Sequence, residues 1–247
     1  MSVIKIKNRS LNHITWLSHA GCEYIITDGT IDIWRINISS NLSNLNYFVS
    51  LLNPAEIERG NKYYQLKDKN RFIVSRGALR YILGRYLHQH PALIGFSLSD
   101  KKKPFINNDL NLQFNISHSA DWILIAVANT VIGTDIEFIN DNFDYADVLE
   151  SNFSSTEIKQ ITENNSAENF FTFWTRKEAI TKTTGKGLNE NLKMIPATDG
   201  SYFADSGLIS STADLFVTSF KPDTKYAASI CCNTLTDNIR FWDIHFQ

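Results

Sequence analysis

The chain has 247 residues, 43% of them hydrophobic and 20% charged, with 11 Gly and 5 Pro, which excludes a disordered tract, a collagen-like repeat and a coiled coil. Twenty-four Lys and Arg against 26 Asp and Glu leave a formal charge of −2, so no global positive field gathers nucleic acid or an anionic membrane. Any polyanionic ligand must therefore meet a local basic cluster.

Three cysteines, Cys22, Cys231 and Cys232, show no zinc spacing and are too few for a disulfide framework. Met1–Ser10 carries Lys5, Lys7 and Arg9 with no apolar run behind them, and no stretch approaches the roughly 18 apolar residues of a membrane span. The reading is a soluble, cytoplasmic protein. Ile31–Ile38 alternates with period two and predicts a strand with one buried face. Pro54–His88 carries helical spacing, with Asn53 as N-cap and Pro54 at the first helical position. Phe114–Ser117 and Trp122–Asn129 read as a strand pair turning at Ser119-Ala120-Asp121, and Val131–Phe138 as a further strand. Ser155–Asn164 and Ala167–Thr184 read as helices, the second stopped by Gly185. Short alternating runs between Tyr202 and Phe241 predict strands returning to a sheet. Strands mixed with a few long helices, without regular βαβα alternation, predict an α+β fold. Two halves of about 120 residues suit ordinary domain size. The weakest point, Ala128–Gly133, divides the chain into 1–130 and 131–247.

Three places break the pattern toward chemistry. In Gly133-Thr134-Asp135-Ile136-Glu137-Phe138 the strand period sets Asp135 and Glu137 on one face, opposite Thr134, Ile136 and Phe138. Two carboxylates so close form either a solvated strand face or an oxygen-only site suited to Mg²⁺. On the helix 170–184, Trp174, Glu178 and Lys182 follow at i, i+4 and i+8 and share a face, as a helix-stabilising Glu–Lys pair or as part of a site. Arg76 and Arg80 fall within the apolar arc of Phe72, Leu79, Leu83, Tyr86 and Leu87, so each needs a fixed anion. A carboxylate of this chain or a bound phosphate could supply it; the inward direction of that face favours the ion pair for Arg76. Together these features describe Mg²⁺-dependent chemistry on a phosphate or pyrophosphate ester, with the substrate open. No Walker loop, GxGxxG or GxSxG is present.

Gly133-Thr134-Asp135-Ile136-Glu137 and, about forty residues on, Trp174-Thr175-Arg176-Lys177-Glu178-Ala179-Ile180-Thr181-Lys182 resemble the two signatures of 4'-phosphopantetheinyl transferases, in the larger Sfp-type branch. The trailing Gly185-Lys186-Gly187-Leu188, Asn115-Ile116-Ser117-His118-Ser119, Lys103-Pro104, and Leu51–Leu87 with Lys67–Arg71 and Ser75-Arg76 also match, so the likeness covers roughly Ile31–Leu188. Thr134 replaces the usual Val or Ile, and Glu56 stands where some relatives carry a basic residue. After Leu188 no motif can be placed.

The resemblance implies a monomeric pseudodimer of two similar halves, each a small antiparallel sheet packed with a long helix, with coenzyme A between them. It implies transfer of the 4'-phosphopantetheine arm of coenzyme A to a serine of an apo acyl or peptidyl carrier protein, releasing 3',5'-ADP. By the same likeness Asp135, Glu137 and Glu178 are expected to hold Mg²⁺, for which Mn²⁺ can substitute. Glu178 is also expected to act as base and Lys182 to neutralise the pyrophosphate. Lys103, Ser117 and His118 are expected to line the nucleotide and its 3'-phosphate, with Arg71 and Arg59 in the basic region nearby. A histidine flanked by serines at a strand end otherwise serves as a turn hydrogen-bonder. The competing readings are an inactive coenzyme A or carrier-protein binding homologue and an Mg²⁺-dependent pyrophosphate hydrolase; neither membrane nor nucleic acid is an expected partner.

Overall fold

A computed structural model describes residues 2–101, 103–163, 166–185 and 192–246. In chain order the strands are β1 (Val3–Ser10), β2 (Trp16–Ser18), β3 (Ile31–Asn37), β4 (Ser97–Leu98), β5 (Pro104–Phe105), β6 (Gln113–Ser119), β7 (Trp122–Ala128), β8 (Ile132–Phe138), β9 (Gly200–Asp205), β10 (Leu215–Phe220), β11 (Tyr226–Cys232) and β12 (Ile239–Asp243). The helices are α1 (Leu45–Leu51), α2 (Pro54–Asn61), α3 (Leu66–Tyr86), α4 (Ala146–Asn152), α5 (Ser155–Glu163), α6 (Ala167–Thr184) and α7 (Ser206–Ile209).

Two five-stranded sheets carry the molecule, ordered β2-β12-β3-β7-β6 and β8-β11-β10-β1-β9. Period-two burial explains their stacking. On β7, Ile123, Ile125 and Val127 face α3, while Leu124, Ala126 and Ala128 face the other sheet and meet Ile132, Ile136, Ala228 and Ile230. Behind the second sheet, Ala179 and Ile180 of α6 pack on Ile4, Ile6, Val217 and Cys231. The layers run helix, sheet, sheet, helix, and each fully buried aliphatic side chain contributes roughly 1.5–3 kcal/mol. The α+β expectation holds.

The topology repeats. β3, the helices to α3, then β6 and β7 form one unit whose strands lie in the order β3-β7-β6; β8, the helices to α6, then β10 and β11 form another in the order β8-β11-β10. Each unit is antiparallel. The complete sheets are mixed, not antiparallel as expected, because the chain's outer strands are exchanged. β1 pairs parallel with β10, in the sheet of the second unit, and β12 pairs parallel with β3, in the sheet of the first. A buried carboxylate pins the second exchange: Asp32 accepts from Arg240 Nε (2.6 Å), Arg240 Nη2 (2.7 Å), Trp242 Nε1 (2.8 Å) and Tyr86 Oη.

The helix expected over Pro54–His88 is two helices, α2 and α3, separated after Gly60-Asn61, both poor helix formers. The break lets α2 fold back on α3. Asn53 caps α2 as expected, its Oδ1 accepting from Glu56 N (2.9 Å) while Glu56 Oε2 accepts from Asn53 N (3.0 Å). The same carboxylate accepts from Arg76 Nε (2.5 Å) and Arg80 Nε (2.6 Å), which settles the anion question at both arginines in favour of the ion pair. Arg80 is wholly buried, so Glu56→Gln is expected to lower stability by about 3 to 5 kcal/mol by leaving a guanidinium without its counter-charge. Urea unfolding measures this, and a loss below about 1 kcal/mol would refute it.

α6 ends where expected, with Gly185 in the left-handed region at φ 67° and its N–H bonded to Thr181 O. The rest of the expected basic loop, Lys186-Gly187, and Leu188 lie outside the described residues. The three cysteines are free and buried, and no described helix is long and apolar enough to cross a membrane.

Candidate active site

β8 and α6 build the chemistry together. A Cβ at Gly133 would stand 2.3 Å from Ala179 O and 2.5 Å from Thr183 N, so only glycine lets α6 lie this close on β8. The next residues on that face, Asp135 and Glu137, then meet Glu178 and Lys182 in one cleft. Thr134 turns away as expected, its hydroxyl donating to Ser229 O (3.1 Å).

β6 supplies the opposing edge through alternate side chains. Asn115 Oδ1 accepts from Thr134 N (2.8 Å), Ser117 Oγ donates to Asp135 Oδ1 (2.8 Å), and Ser119 Oγ donates to Glu137 Oε2 (2.7 Å) while accepting from Phe138 N (3.0 Å). The pattern Asn-x-Ser-x-Ser is therefore a side-chain ladder that seats the edge of one sheet against the edge of the other. Sequence reasoning missed Asn115 and Ser119 as parts of the site, although their period of two with Ser117 was the available signal.

Lys182 does not pair along its own helix with Glu178. Its ammonium donates to Asp135 Oδ1 (2.6 Å) and Ser117 Oγ (3.0 Å). Burial raises the Asp135 carboxyl above its usual range, opposed by Lys182. Glu137 and Glu178 are each pushed up to about 7, first by burial and then by the Asp135 charge. Burial, with Arg71 next, lowers the His118 imidazole.

Two buried oxygens, Asp135 Oδ2 and Glu178 Oε1, have no hydrogen-bond partner. Unsatisfied carboxylate oxygens in an oxygen-only donor set fit a hard divalent cation. The carboxylates are not already drawn to one point: among the described residues no three Asp, Glu, His or Cys side chains stand at coordination spacing.

The cleft has a volume of about 630 Å³. α2 and α3 form its basic wall, with Arg59 over the Phe72 ring (5.3 Å) and Arg71 Nη2 bonded to Asp68 Oδ1 (2.8 Å). His118 stands at its rim beside Ser117. Of the residues expected here, the structure brings together Arg59, Arg71, Ser117, His118, Asp135, Glu137, Glu178 and Lys182. Lys103 is not among them. Its ammonium bonds Ile132 O (2.9 Å) and Thr183 O (3.5 Å), tying the start of β8 to the end of α6, and burial lowers its pKa to about 8.

Residues 38–130 match the family model described as 4'-phosphopantetheinyl transferase, N-terminal, and residues 131–231 match that of the 4'-phosphopantetheinyl transferase superfamily. The 4'-phosphopantetheinyl transferase HetI of Nostoc sp. is 32% identical over 181 residues, covering 70% of this chain and 76% of that protein. The chain belongs to the 4'-phosphopantetheinyl transferase superfamily. Two more of these transferases are psf-1 of Bacillus pumilus, 31% identical over 79% of this chain and 83% of its own length, and Sfp of Bacillus subtilis, 26% identical over 74% and 83%. A solved structure, Helicobacter pylori holo-[acyl-carrier-protein] synthase in complex with coenzyme A, aligns with 40% of this chain and 98% of that chain at 22% identity and a TM-score of 0.31.

Proposed function

We propose that this transferase moves the 4'-phosphopantetheine arm of coenzyme A to a serine hydroxyl of an apo acyl or peptidyl carrier protein, releasing 3',5'-ADP. One observation carries the reading: three carboxylates and Lys182 converge, with two orphaned carboxylate oxygens, in a cleft whose facing wall holds Arg59 and Arg71. Carboxylates with a cation suit the diphosphate of coenzyme A, and the arginines with His118 suit its 3'-phosphate.

Asp135, Glu137 and Glu178 would hold Mg²⁺, with Mn²⁺ able to substitute, and the cation when bound would offset charge on the diphosphate oxygens. The chain's own groups do the rest. Glu178 takes the proton of the serine hydroxyl, directly or through a water, as the serine oxygen bonds to the phosphorus that carries the pantetheine arm; the bond from that phosphorus to 3',5'-ADP breaks. Lys182 holds Asp135 in place and adds positive charge where the leaving phosphate develops. The two halves, 1–130 and 131–247, act in this proposal as one monomer in the cytoplasm, with no membrane or nucleic-acid partner.

Incubation with coenzyme A, Mg²⁺ and a panel of apo carrier proteins, read by intact mass, tests the proposal. Added phosphopantetheine on a carrier serine is the expected result. Cleavage of coenzyme A without any carrier would make the protein a hydrolase, and coenzyme A binding with neither product would make it a binding homologue.

A further inference from the structure

α3 presents Arg71, Ser75 and Leu79 to the cleft at i, i+4 and i+8, so the stripe runs from a cation through a hydroxyl to an apolar side chain. Ser75 is 8% exposed, and its Oγ is buried with no hydrogen-bond partner. A hydroxyl held this way destabilises the free protein, and one that lines a cleft finds its partner when a ligand arrives. Ser75-Arg76 belongs to the stretch that resembles the family, but no role in the expected chemistry falls to Ser75.

The surroundings select which part of coenzyme A that partner belongs to; this step rests on the proposed function above. Glu56, itself buried, fixes the guanidinium of Arg76 as it does that of Arg80, and Arg76 lies over the Phe96 ring (4.1 Å), whereas Arg71 is held only by a weak, partly exposed i,i+3 pair with Asp68, so Arg71 is the arginine freer to turn to a phosphate. Leu98, Pro104 and Ile116 are also part of the lining and offer apolar contact. One helical turn, about 6 Å along the axis, separates Ser75 from Arg71. A 3'-phosphate on Arg71 therefore places the ribose and adenine to which it is joined within reach of Ser75. We propose that Ser75 is a specificity-determining residue that hydrogen-bonds the adenosine portion of coenzyme A, not its 3'-phosphate.

Titration calorimetry of wild type and Ser75→Ala with coenzyme A and with 3'-dephospho-coenzyme A, together with the melting temperature of each free protein, tests this. Ser75→Ala is expected to weaken both ligands by the same factor, roughly three- to tenfold, the value of one hydrogen bond. The free variant should melt at the same temperature as wild type or higher, because an unsatisfied buried hydroxyl has been removed. A purely structural serine would show the reverse: a lower melting temperature with unchanged affinity. Weakening confined to coenzyme A would assign Ser75 to the 3'-phosphate and overturn the proposal, as would two unchanged affinities. Wild-type protein that binds neither ligand would instead refute the coenzyme A reading itself.

Discussion

Asp135→Asn is expected to lower arm transfer about a hundredfold or more, and EDTA to abolish it until Mg²⁺ or Mn²⁺ is restored. The variant removes the carboxylate that sits at the centre of the site, bonded to Ser117 and Lys182 and with its second oxygen free for a cation. Intact-mass assay of the carrier measures the rate; unimpaired turnover in EDTA would sink the metal assignment. Stability gives a second readout, with a definite sign. Glu137 and Glu178 titrate near 7 in the folded chain, above the usual carboxylate range of about 4.3. Between those values the folded state binds more protons than the unfolded one, so stability falls as pH rises from about 4.5 to 7 and then levels. Cation binding needs the deprotonated carboxylates. Mg²⁺ should therefore raise the melting temperature more at pH 7.5 than at pH 5.5, and an equal rise at both would contradict a site built on these groups. Asp135→Asn should also lower the pKa of both glutamates, because its charge is the second cause of their elevation.

Lys182→Ala is expected to reduce turnover by a similar factor and to weaken coenzyme A binding, while Lys182→Arg recovers only part of either. A compact ammonium reaches Asp135 Oδ1 and Ser117 Oγ at once, and a planar guanidinium places its charge differently. The alanine variant also leaves Asp135 buried and unpaired. Breaking a fully buried pair costs about 3 to 5 kcal/mol, but the Lys182 side chain is 29% exposed, so about 1 to 3 kcal/mol is expected at neutral pH. Lys186→Ala, outside the described residues, should be milder. Equal damage from both alanine variants would refute the specific role of Lys182.

What the sequence disclosed was what it encodes by short-range period. Asp135 and Glu137 shared a face because a strand alternates, and Trp174, Glu178 and Lys182 because a helix repeats; Gly185 marked the end of α6 by its left-handed backbone. Pairings between distant segments were not legible. Glu56 was noted only as an acid in an unexpected place, since Arg76 and Arg80 lie 20 and 24 residues on, in the next helix. Lys182 was read against Glu178, four residues off, whereas its partner Asp135 lies 47 residues back. β1 escaped because Lys5, Lys7 and Arg9 marked the first ten residues given as a basic segment, although Ile4 and Ile6, which alternate with them, are core residues. Ser75 stood within a stretch that matches the family but with no role attached; only its missing partner singles it out.

The exchange of outer strands bears on how the chain reaches this shape. Ile6 of β1 pairs opposite Leu215, and Ile31 of β3 opposite Ile239, so each sheet closes only across about two hundred residues. Such long loops must be ordered before their contacts reward them, which slows folding. During synthesis β1 emerges long before β10 exists, with Ile4 and Ile6 facing water and both its edges open. That interval favours association between nascent chains over correct pairing. Cutting the chain near residue 130 should not yield two autonomous pieces, because each fragment would lack a strand that the other retains. Coexpressed fragments, in contrast, have a reason to find one another: the missing strand of each is offered by its counterpart, and the interlock that delays folding would then hold the reassembled enzyme together.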